Sequence, residues 1–197
     1  MRVISGKARS LRLKTIDGDL TRPTTDRIKE TLFNIIGNNV IDSVFLDLFS
    51  GSGGIGIEAL SRGAARCDFV DNNPKCIKVI NDNLAFTKLL DGANVVKSDV
   101  LSFISSKKGK KYDIIFIDPP YRAGVERDVL NDIMRNDLCH SDTVIILEAL
   151  KEFDESIVGE CGFVVDKVKV YGSNKHIFMG RRRELWELEF IPEVSIQ

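Results

Sequence analysis

The sequence predicts an α/β fold: a doubly wound, mainly parallel sheet of about seven strands, with an antiparallel C-terminal hairpin and a small N-terminal β-hairpin. Three observations carry this. From Val44 onward, apolar runs of strand length alternate with segments of helical period, the pattern of successive βαβ units. The runs are near-continuous, as in Ile114-Ile115-Phe116-Ile117, which suits strands covered on both faces. Near the end, Phe163–Tyr171 and His176–Arg181 are separated only by Gly172-Ser173-Asn174-Lys175, so they pair as a hairpin and give the sheet an antiparallel edge.

In chain order, residues 2–5 and 10–16 alternate as two short strands, with Gly6 near the turn. Thr21-Arg22-Pro23-Thr24 is a loop, because a proline restricts both itself and the residue before it. Asp26–Ile36 places Ile28, Leu32, Ile35 and Ile36 on one helical face, with Thr24 or Thr25 as N-cap and Gly37 as C-cap. Strands are expected at 44–48, 67–71, 93–97, 112–117 and 143–148, and helices at about 54–63, 74–90, 99–107, 124–136 and 151–158. Right-handed crossovers join the parallel strands. Residues 184–197, with Trp186, Leu188, Phe190 and Ile191, form a further edge strand or pack elsewhere. The expected organisation is a basic hairpin over 1–20, a main domain over 21–183, and an extension over 184–197 of unassigned role.

A hydrophobic fraction of 43% and a charged fraction of 29% over 197 residues describe an ordinary soluble domain. No apolar run approaches the roughly 18 residues of a membrane span, and the N-terminus is basic rather than signal-like, so a cytoplasmic protein is expected. Cys67, Cys76, Cys139 and Cys161 form no C-x-x-C pair, and His140 and His176 are the only histidines. Free, mostly buried thiols and no metal site are expected. Net charge is −1, yet residues 1–16 hold Arg2, Lys7, Arg9, Arg12 and Lys14 and no acid. That asymmetry suits an arm facing nucleic acid as well as it suits a solvated hairpin.

Chemistry concentrates in two stretches. Leu46-Asp47-Leu48-Phe49-Ser50-Gly51-Ser52-Gly53-Gly54-Ile55-Gly56 runs from a strand through a glycine-rich turn into a helix. Such a turn lets a ligand approach the backbone and the free N–H groups of the helix start. Gly51, Gly53 and Gly56 fit G-x-G-x-x-G, and Asp71 lies where a ribose-binding acid sits. The pattern makes a Rossmann-like cofactor pocket without choosing among S-adenosylmethionine (SAM), NAD and FAD. Asp47 bears on the choice. A buried carboxylate is costly unless paired, and SAM brings a sulfonium and an ammonium where NAD brings a pyrophosphate. The second stretch, Asp118-Pro119-Pro120-Tyr121, follows the fourth strand at the same carboxyl edge. An acid, carbonyls freed by prolines and an aromatic ring make a receptor for a flat base with an exocyclic amine. Ser98-Asp99-Val100 follows the third strand, where Asp99 can accept an adenine amino group. Asp71 and Asp99 also fit plain helix-capping roles.

These residues resemble a known family. Asp47-Leu48-Phe49-Ser50-Gly51-Ser52-Gly53, Glu58-Ala59-Leu60-Ser61-Arg62-Gly63-Ala64 and Asp118-Pro119-Pro120-Tyr121 look like class I SAM-dependent methyltransferases acting on exocyclic amines. Met1-Arg2-Val3-Ile4-Ser5-Gly6-Lys7 and Arg22-Pro23-Thr24-Thr25-Asp26-Arg27 narrow this to the bacterial small-subunit (16S) ribosomal RNA guanine-N2 methyltransferase family. The match runs from Met1 to about Arg182. Ser50 replaces an expected alanine, a change expected to matter little. The resemblance implies SAM as cofactor and an assembled small ribosomal subunit as substrate. It assigns Asp47, Gly51, Ser52 and Gly53 to the methionine part of SAM, Asp71 to the ribose, and Asp99 and Val100 to the adenine. Thr24 lies near the cofactor's carboxylate, and Phe49 and Asn72 also count among the cofactor-binding residues. Asp118, Pro119, Pro120 and Tyr121 hold the target guanine. Arg2, Lys7, Arg9, Arg12, Lys14, Arg22 and Arg27 face RNA. A monomer is expected.

In the expected mechanism Asp118 and the Pro119 carbonyl accept the two N–H bonds of the amine, Tyr121 stacks on the base, and transfer is direct and in-line, with no metal. Competing readings are an adenine-N6 nucleic-acid methyltransferase, a protein-glutamine methyltransferase, a non-catalytic RNA-binding assembly factor and, more remotely, a nicotinamide enzyme.

Overall fold

The computed structural model describes residues 1–16, 26–120 and 123–181. Seven strands form one sheet: β1 (Val44–Leu48), β2 (Arg66–Asp71), β3 (Ala93–Lys97), β4 (Tyr112–Ile117), β5 (Cys139–Leu150), β6 (Phe163–Tyr171) and β7 (Asn174–Arg181). Their order is β3-β2-β1-β4-β5-β7-β6. The first five run parallel to one another, and β7 runs antiparallel to both β5 and β6. The strand order reverses at β1, between β2 and β4, so a crevice opens there at the carboxyl edge.

Helices α1 (Asp26–Ile36), α2 (Gly54–Ser61), α3 (Pro74–Thr87), α4 (Val100–Ser106), α5 (Glu126–Arg135) and α6 (Ser156–Glu160) cover both faces. Strand alternation sorts the core. Leu46, Leu48, Ile115, Ile117, Ile145 and Leu147 pack under α4, α5 and α6. Phe45, Phe69, Ile114, Phe116, Ile146 and Phe178 pack under α1, α2 and α3. Apolar area buried on both sides of one sheet is worth roughly 25 cal/mol per Å², which is why continuous apolar runs end in its middle.

Three local expectations change. The two N-terminal strands shrink to one antiparallel bridge, Arg2 with Arg12. The donors a longer ladder needs are taken by α2. The Ile4 and Ser5 N–H groups donate to Glu58 (2.8 and 3.0 Å), the Lys7 N–H donates to the Ser61 carbonyl (2.8 Å), and the Ala8 N–H to Ser61 Oγ (2.9 Å). Gly6 has φ +82° and passes so close to α2 that a Cβ there would meet the Ser61 carbonyl oxygen at 1.7 Å. With Val3, Ala8 and Leu13 buried in the common core, the segment is bolted to the body. Second, the helix expected over 151–158 becomes α6, because the β6–β7 turn and β7 capture residues 151–155. Lys151 N–H donates to the Ser173 carbonyl (2.8 Å), and Lys175 Nζ to the Phe153 carbonyl (2.8 Å). Third, the helix expected over 74–90 ends at Thr87, where Lys88 turns left-handed (φ 60°).

All four cysteines are buried and none forms a disulfide. Among the described residues no helix is long and apolar enough to cross a membrane.

Candidate functional site

The glycine loop leaves β1 through Phe49, whose φ of +60° is unusual for a side-chain-bearing residue. Gly53 then caps α2 in the left-handed region (φ +77°). Gly56, one turn in, allows α2 to lie against β2. A Cβ there would meet the Phe69 ring at 2.3 Å. Loop and strand ends are stitched together. The Gly51 N–H donates to Asp71 Oδ2 (2.9 Å) and the Asn73 N–H to Asp71 Oδ1 (2.8 Å). Ser50 Oγ donates to the Asp47 carbonyl (2.6 Å) and accepts from the Val70 N–H (2.9 Å). Ser50 is thus not a neutral replacement for alanine: it ties β1 to β2 at the cleft.

A cleft of about 330 Å³ opens above this loop. Asp47, Phe49, Gly51, Ser52, Asp71, Asn72, Asp99, Val100, Asp118 and Pro120 all line it. The glycine loop and the fourth loop therefore meet in one cavity. Gly53 and Pro119 are not on its wall; Gly53 serves as the helix cap, and Pro119 is buried. Thr24, Arg22 and Tyr121 lie outside the described residues. Asn73, not Asp71, caps α3, accepting from the Lys75 N–H (2.9 Å). Asp99 does cap α4, accepting from the Ser102 N–H (3.0 Å), and still faces the cleft. Of the two proline carbonyls, that of Pro120 is used internally, accepting from the Ala123 N–H (3.0 Å).

Two acids dominate the electrostatics. Burial pushes the Asp47 carboxyl up to about 7, against the pull of the Gly56 N–H and with a further push from Asp71. That N–H donates to Asp47 Oδ2 (3.0 Å), so the chain itself supplies a first, uncharged partner for Asp47. Burial, then the carboxylates of Glu148 and Asp47, push the Asp118 carboxyl well above the ordinary range.

Residues that sequence reasoning missed also shape the site. Met1, Thr15 and Ile16 line the cleft, so the N-terminal segment is one of its walls. Asn83 holds that wall. It accepts from the Lys14 N–H (2.8 Å) and donates to the carbonyls of Lys14 and Ser52 (both 3.0 Å). The buried Lys29 donates to the Arg2 carbonyl (2.6 Å) and pairs with Glu58 (3.2 Å). The apolar residues within the basic segment were the signal that it packs. Among the basic residues, Arg2 pairs with Asp26 (2.6 Å) and Lys14 with Asp82 (2.9 Å), while Lys7, Arg9, Arg12 and Arg27 are exposed.

The cleft fits SAM better than a dinucleotide. Four acids, Asp47, Asp71, Asp99 and Asp118, line it; an onium cation would draw the raised Asp47 and Asp118 towards their charged forms, whereas a pyrophosphate would oppose charge on all four. Phe49, Ile55, Val100 and Phe116 supply apolar walls. Among the described residues, no group of three or more His, Cys, Asp or Glu is gathered as metal ligands would be.

Comparison with known proteins agrees with this geometry. A Bacillus subtilis (strain 168) protein named YlbH is 38% identical over 175 residues, covering 87% of this chain and 94% of that one. Ribosomal RNA small subunit methyltransferase D of Escherichia coli (strain K12) is 37% identical over 149 residues, 76% of this chain and 74% of that protein. The solved structure of yhhF from Escherichia coli superposes with a TM-score of 0.81 at 32% identity, over 93% of this chain and 99% of that one. A more distant structure, SMU.776 complexed with SAH, shares the fold at 16% identity (TM-score 0.63, 79% of this chain and 49% of that one). The family model described as "Conserved hypothetical protein 95" matches residues 1–180, and this chain belongs to that family.

Proposed function

We propose that this chain transfers a methyl group from SAM to the exocyclic N2 of a guanine in small-subunit ribosomal RNA. The observation that carries the reading is the shared cleft: the loop after β1 and Asp118 after β4 face one another across a single cavity. Asp47, Phe49, Gly51 and Ser52 hold the methionine part of SAM, with Gly53 shaping the loop. Asp71 and Asn72 hold the ribose, Asp99 and Val100 the adenine, and Thr24 is a further cofactor-binding residue. When bound, SAM supplies an electrophilic methyl group.

The chain's own residues do the rest. Asp118, on the cleft wall, accepts one N–H bond of the amine and so localises its lone pair, and the Pro119 carbonyl, off that wall, accepts the second once the loop turns it towards the cleft. Pro120 stiffens the loop, and Tyr121 stacks on the unstacked base, worth roughly 1–3 kcal/mol. Asp118 then takes the departing proton. Fixing the amine in line with the methyl supplies most of the acceleration as proximity. Lys7, Arg9 and Arg12, with Arg27 and Arg22, hold phosphates with little reading of sequence. Arg2 and Lys14 can join them only by leaving their acid partners. The substrate is the assembled small subunit, the chain acts as a monomer in the cytoplasm, and residues 1–20, 21–183 and 184–197 are its RNA arm, catalytic domain and extension.

The test is incubation with labelled SAM and small subunits or ribosomal RNA from cells lacking the protein, followed by nucleoside analysis. N2-methylguanosine is expected. N6-methyladenosine, or label on protein, would overturn the reading. Asp118→Ala should lower transfer by at least about a thousandfold while SAM affinity, read by calorimetry, changes by less than about threefold. Normal turnover in that variant would remove the mechanism.

A further inference from the structure

Asp118 is not the last polar group behind the cleft. Ile117 of β4 pairs with Leu147 of β5, and both point into the α4–α6 side of the core. The next residues, Asp118 just past β4 and Glu148 within β5, therefore lie side by side and turn to the opposite face of the sheet. Glu148 is buried and its carboxylate is clamped from β7. Asn174 Nδ2 donates to Oε1 (3.1 Å) and His176 Nε2 lies 3.0 Å from Oε2. The His176 ring is wedged edge-on among Phe116, Tyr171 and Phe178, at centroid distances of 5.9, 5.1 and 6.4 Å. Its Nδ1 is buried without a partner. A stranded lone pair is cheaper than a stranded N–H, so the proton sits on Nε2 and donates to Glu148. Burying a carboxylate against an imidazole, with a half-buried amide beside them, is not explained by stability, because such networks gain little over apolar packing.

We propose that Glu148, held by His176 and Asn174, is a positioning residue of the transfer reaction: its carboxylate keeps Asp118 basic enough to accept the proton that the target amine releases. The inference rests on the methyltransferase reading above. In the step, the amine nitrogen bonds to the methyl carbon, the carbon–sulfur bond breaks with its electron pair retained by sulfur, and the surplus proton passes from nitrogen to an Asp118 oxygen. An ordinary aspartate is a weak base for this task. A like charge alongside raises its proton affinity. His176 and Asn174 hold that carboxylate in place, one against each of its oxygens. Among the described residues, the titratable groups facing the pair are Asp47 from β1, His176 from β7 and Tyr171 from β6. Helix α1, which covers this face, directs its buried Lys29 to Glu58 and the Arg2 carbonyl instead.

The test is Glu148→Gln, which keeps shape and removes charge. The acid limb of the kcat–pH profile should move down by about one unit and the plateau should fall about tenfold, with KM for the RNA substrate unchanged within twofold. A merely structural role would lower activity without moving the limb. The second readout needs no turnover: carboxyl carbon NMR of the ligand-free wild-type protein should show Asp118 titrating above the ordinary range. In the variant that midpoint should drop. His176→Gln, which retains a donor to Glu148, should leave the limb in place. An Asp118 midpoint within the ordinary range, an unmoved midpoint in the variant, or a limb that shifts equally in His176→Gln overturns the inference. Absence of any methylated guanosine with the wild-type enzyme overturns the function instead, and the NMR comparison still decides the role of Glu148.

Discussion

Asp47 and Asp68 lie on neighbouring strands, each inside an apolar run, each almost sealed from solvent at 2% and 5% exposure. Their surroundings send them in opposite directions. Burial raises Asp68 too, but Lys110 Nζ (2.6 Å), Tyr112 OH (2.6 Å) and Asn94 Nδ2 (3.1 Å) all donate to it, and together they hold its carboxyl below the ordinary range. Asp47 is left with the Gly56 N–H and rises to about 7. Asp68 is a finished structural joint. Asp47 is an acid whose compensation is incomplete in the chain itself, and it faces the cleft. Perturbation by burial without a protein cation is what marks a ligand site; burial alone does not.

A third buried acid sets the upper end of the comparison. Glu58 is fully buried and receives Lys29, Arg62 and the N–H groups of Ile4 and Ser5. Glu58→Gln leaves the Lys29 ammonium buried without its counter-charge, and should cost about 3–5 kcal/mol in urea unfolding at pH 7. Burial already lowers Lys29, so between that lowered value and the ordinary lysine range the native state binds fewer protons there than the unfolded chain, and stability should rise as pH rises through that window. Because Glu58 anchors the segment that carries Met1, Thr15 and Ile16 to the cleft wall, SAM affinity should fall with stability. A loss under 1 kcal/mol would mean that Lys29 finds another partner.

The paired test is Asp68→Asn against Asp47→Asn. Asp68→Asn should cost about 2 kcal/mol at pH 7, since a charge-assisted joint is weakened in the core. The wild-type contribution of Asp68 is present above the unfolded pKa and lost as pH falls through the lowered folded value. Asp47 has the other sign. Its carboxyl titrates near 3.8 when unfolded and about 7 when folded, so the native state holds the extra proton between those values and stability falls as pH rises through that window. Asp47→Asn should therefore match wild type near pH 4 and exceed it by about 1–3 kcal/mol at pH 8. A cationic ligand reverses the demand. Wild-type SAM affinity should tighten as pH rises through about 7, and the slope should vanish in Asp47→Asn, with affinity at pH 8 at least about tenfold weaker. A pH-independent wild-type affinity would break the contrast between the two acids.

That contrast also marks where the sequence stopped being legible. The strands of the parallel sheet were readable because runs such as Ile114–Ile117 bury both faces and tolerate no other placement. The glycine loop and Asp118 could be assigned to one rim because strand ends in a parallel sheet share an edge. Asp68 was not distinguishable from a ligand-seeking acid, since Lys110, Tyr112 and Asn94 come from 26 to 44 residues away. The N-terminal ladder was overestimated because its competing acceptors, Glu58 and Ser61, lie more than 50 residues on. Glu148 and His176 were silent for the same reason: only the register of an antiparallel β7 brings them together. Local periodicity reports burial, and partners across the sheet decide what a buried polar group is for.

The smallest expected effect tests whether uncharged bonds follow the same logic. Ser50 Oγ closes the gap between β1 and β2 with one donated and one accepted bond, and the Ser50 N–H still reaches the Val70 carbonyl (3.1 Å) without it. Ser50→Ala removes both side-chain bonds but leaves the β1–β2 ladder that pairs Asp47 with Phe69 and Leu48 with Val70. The loss should be about 1 kcal/mol in urea unfolding, with SAM affinity shifted by less than about threefold. A larger loss of affinity than of stability would show that this hydroxyl shapes the glycine loop for the cofactor, and would place it with Asp47. Equal, small losses would place it with Asp68, among the joints that hold the sheet together and leave the cleft its chemistry.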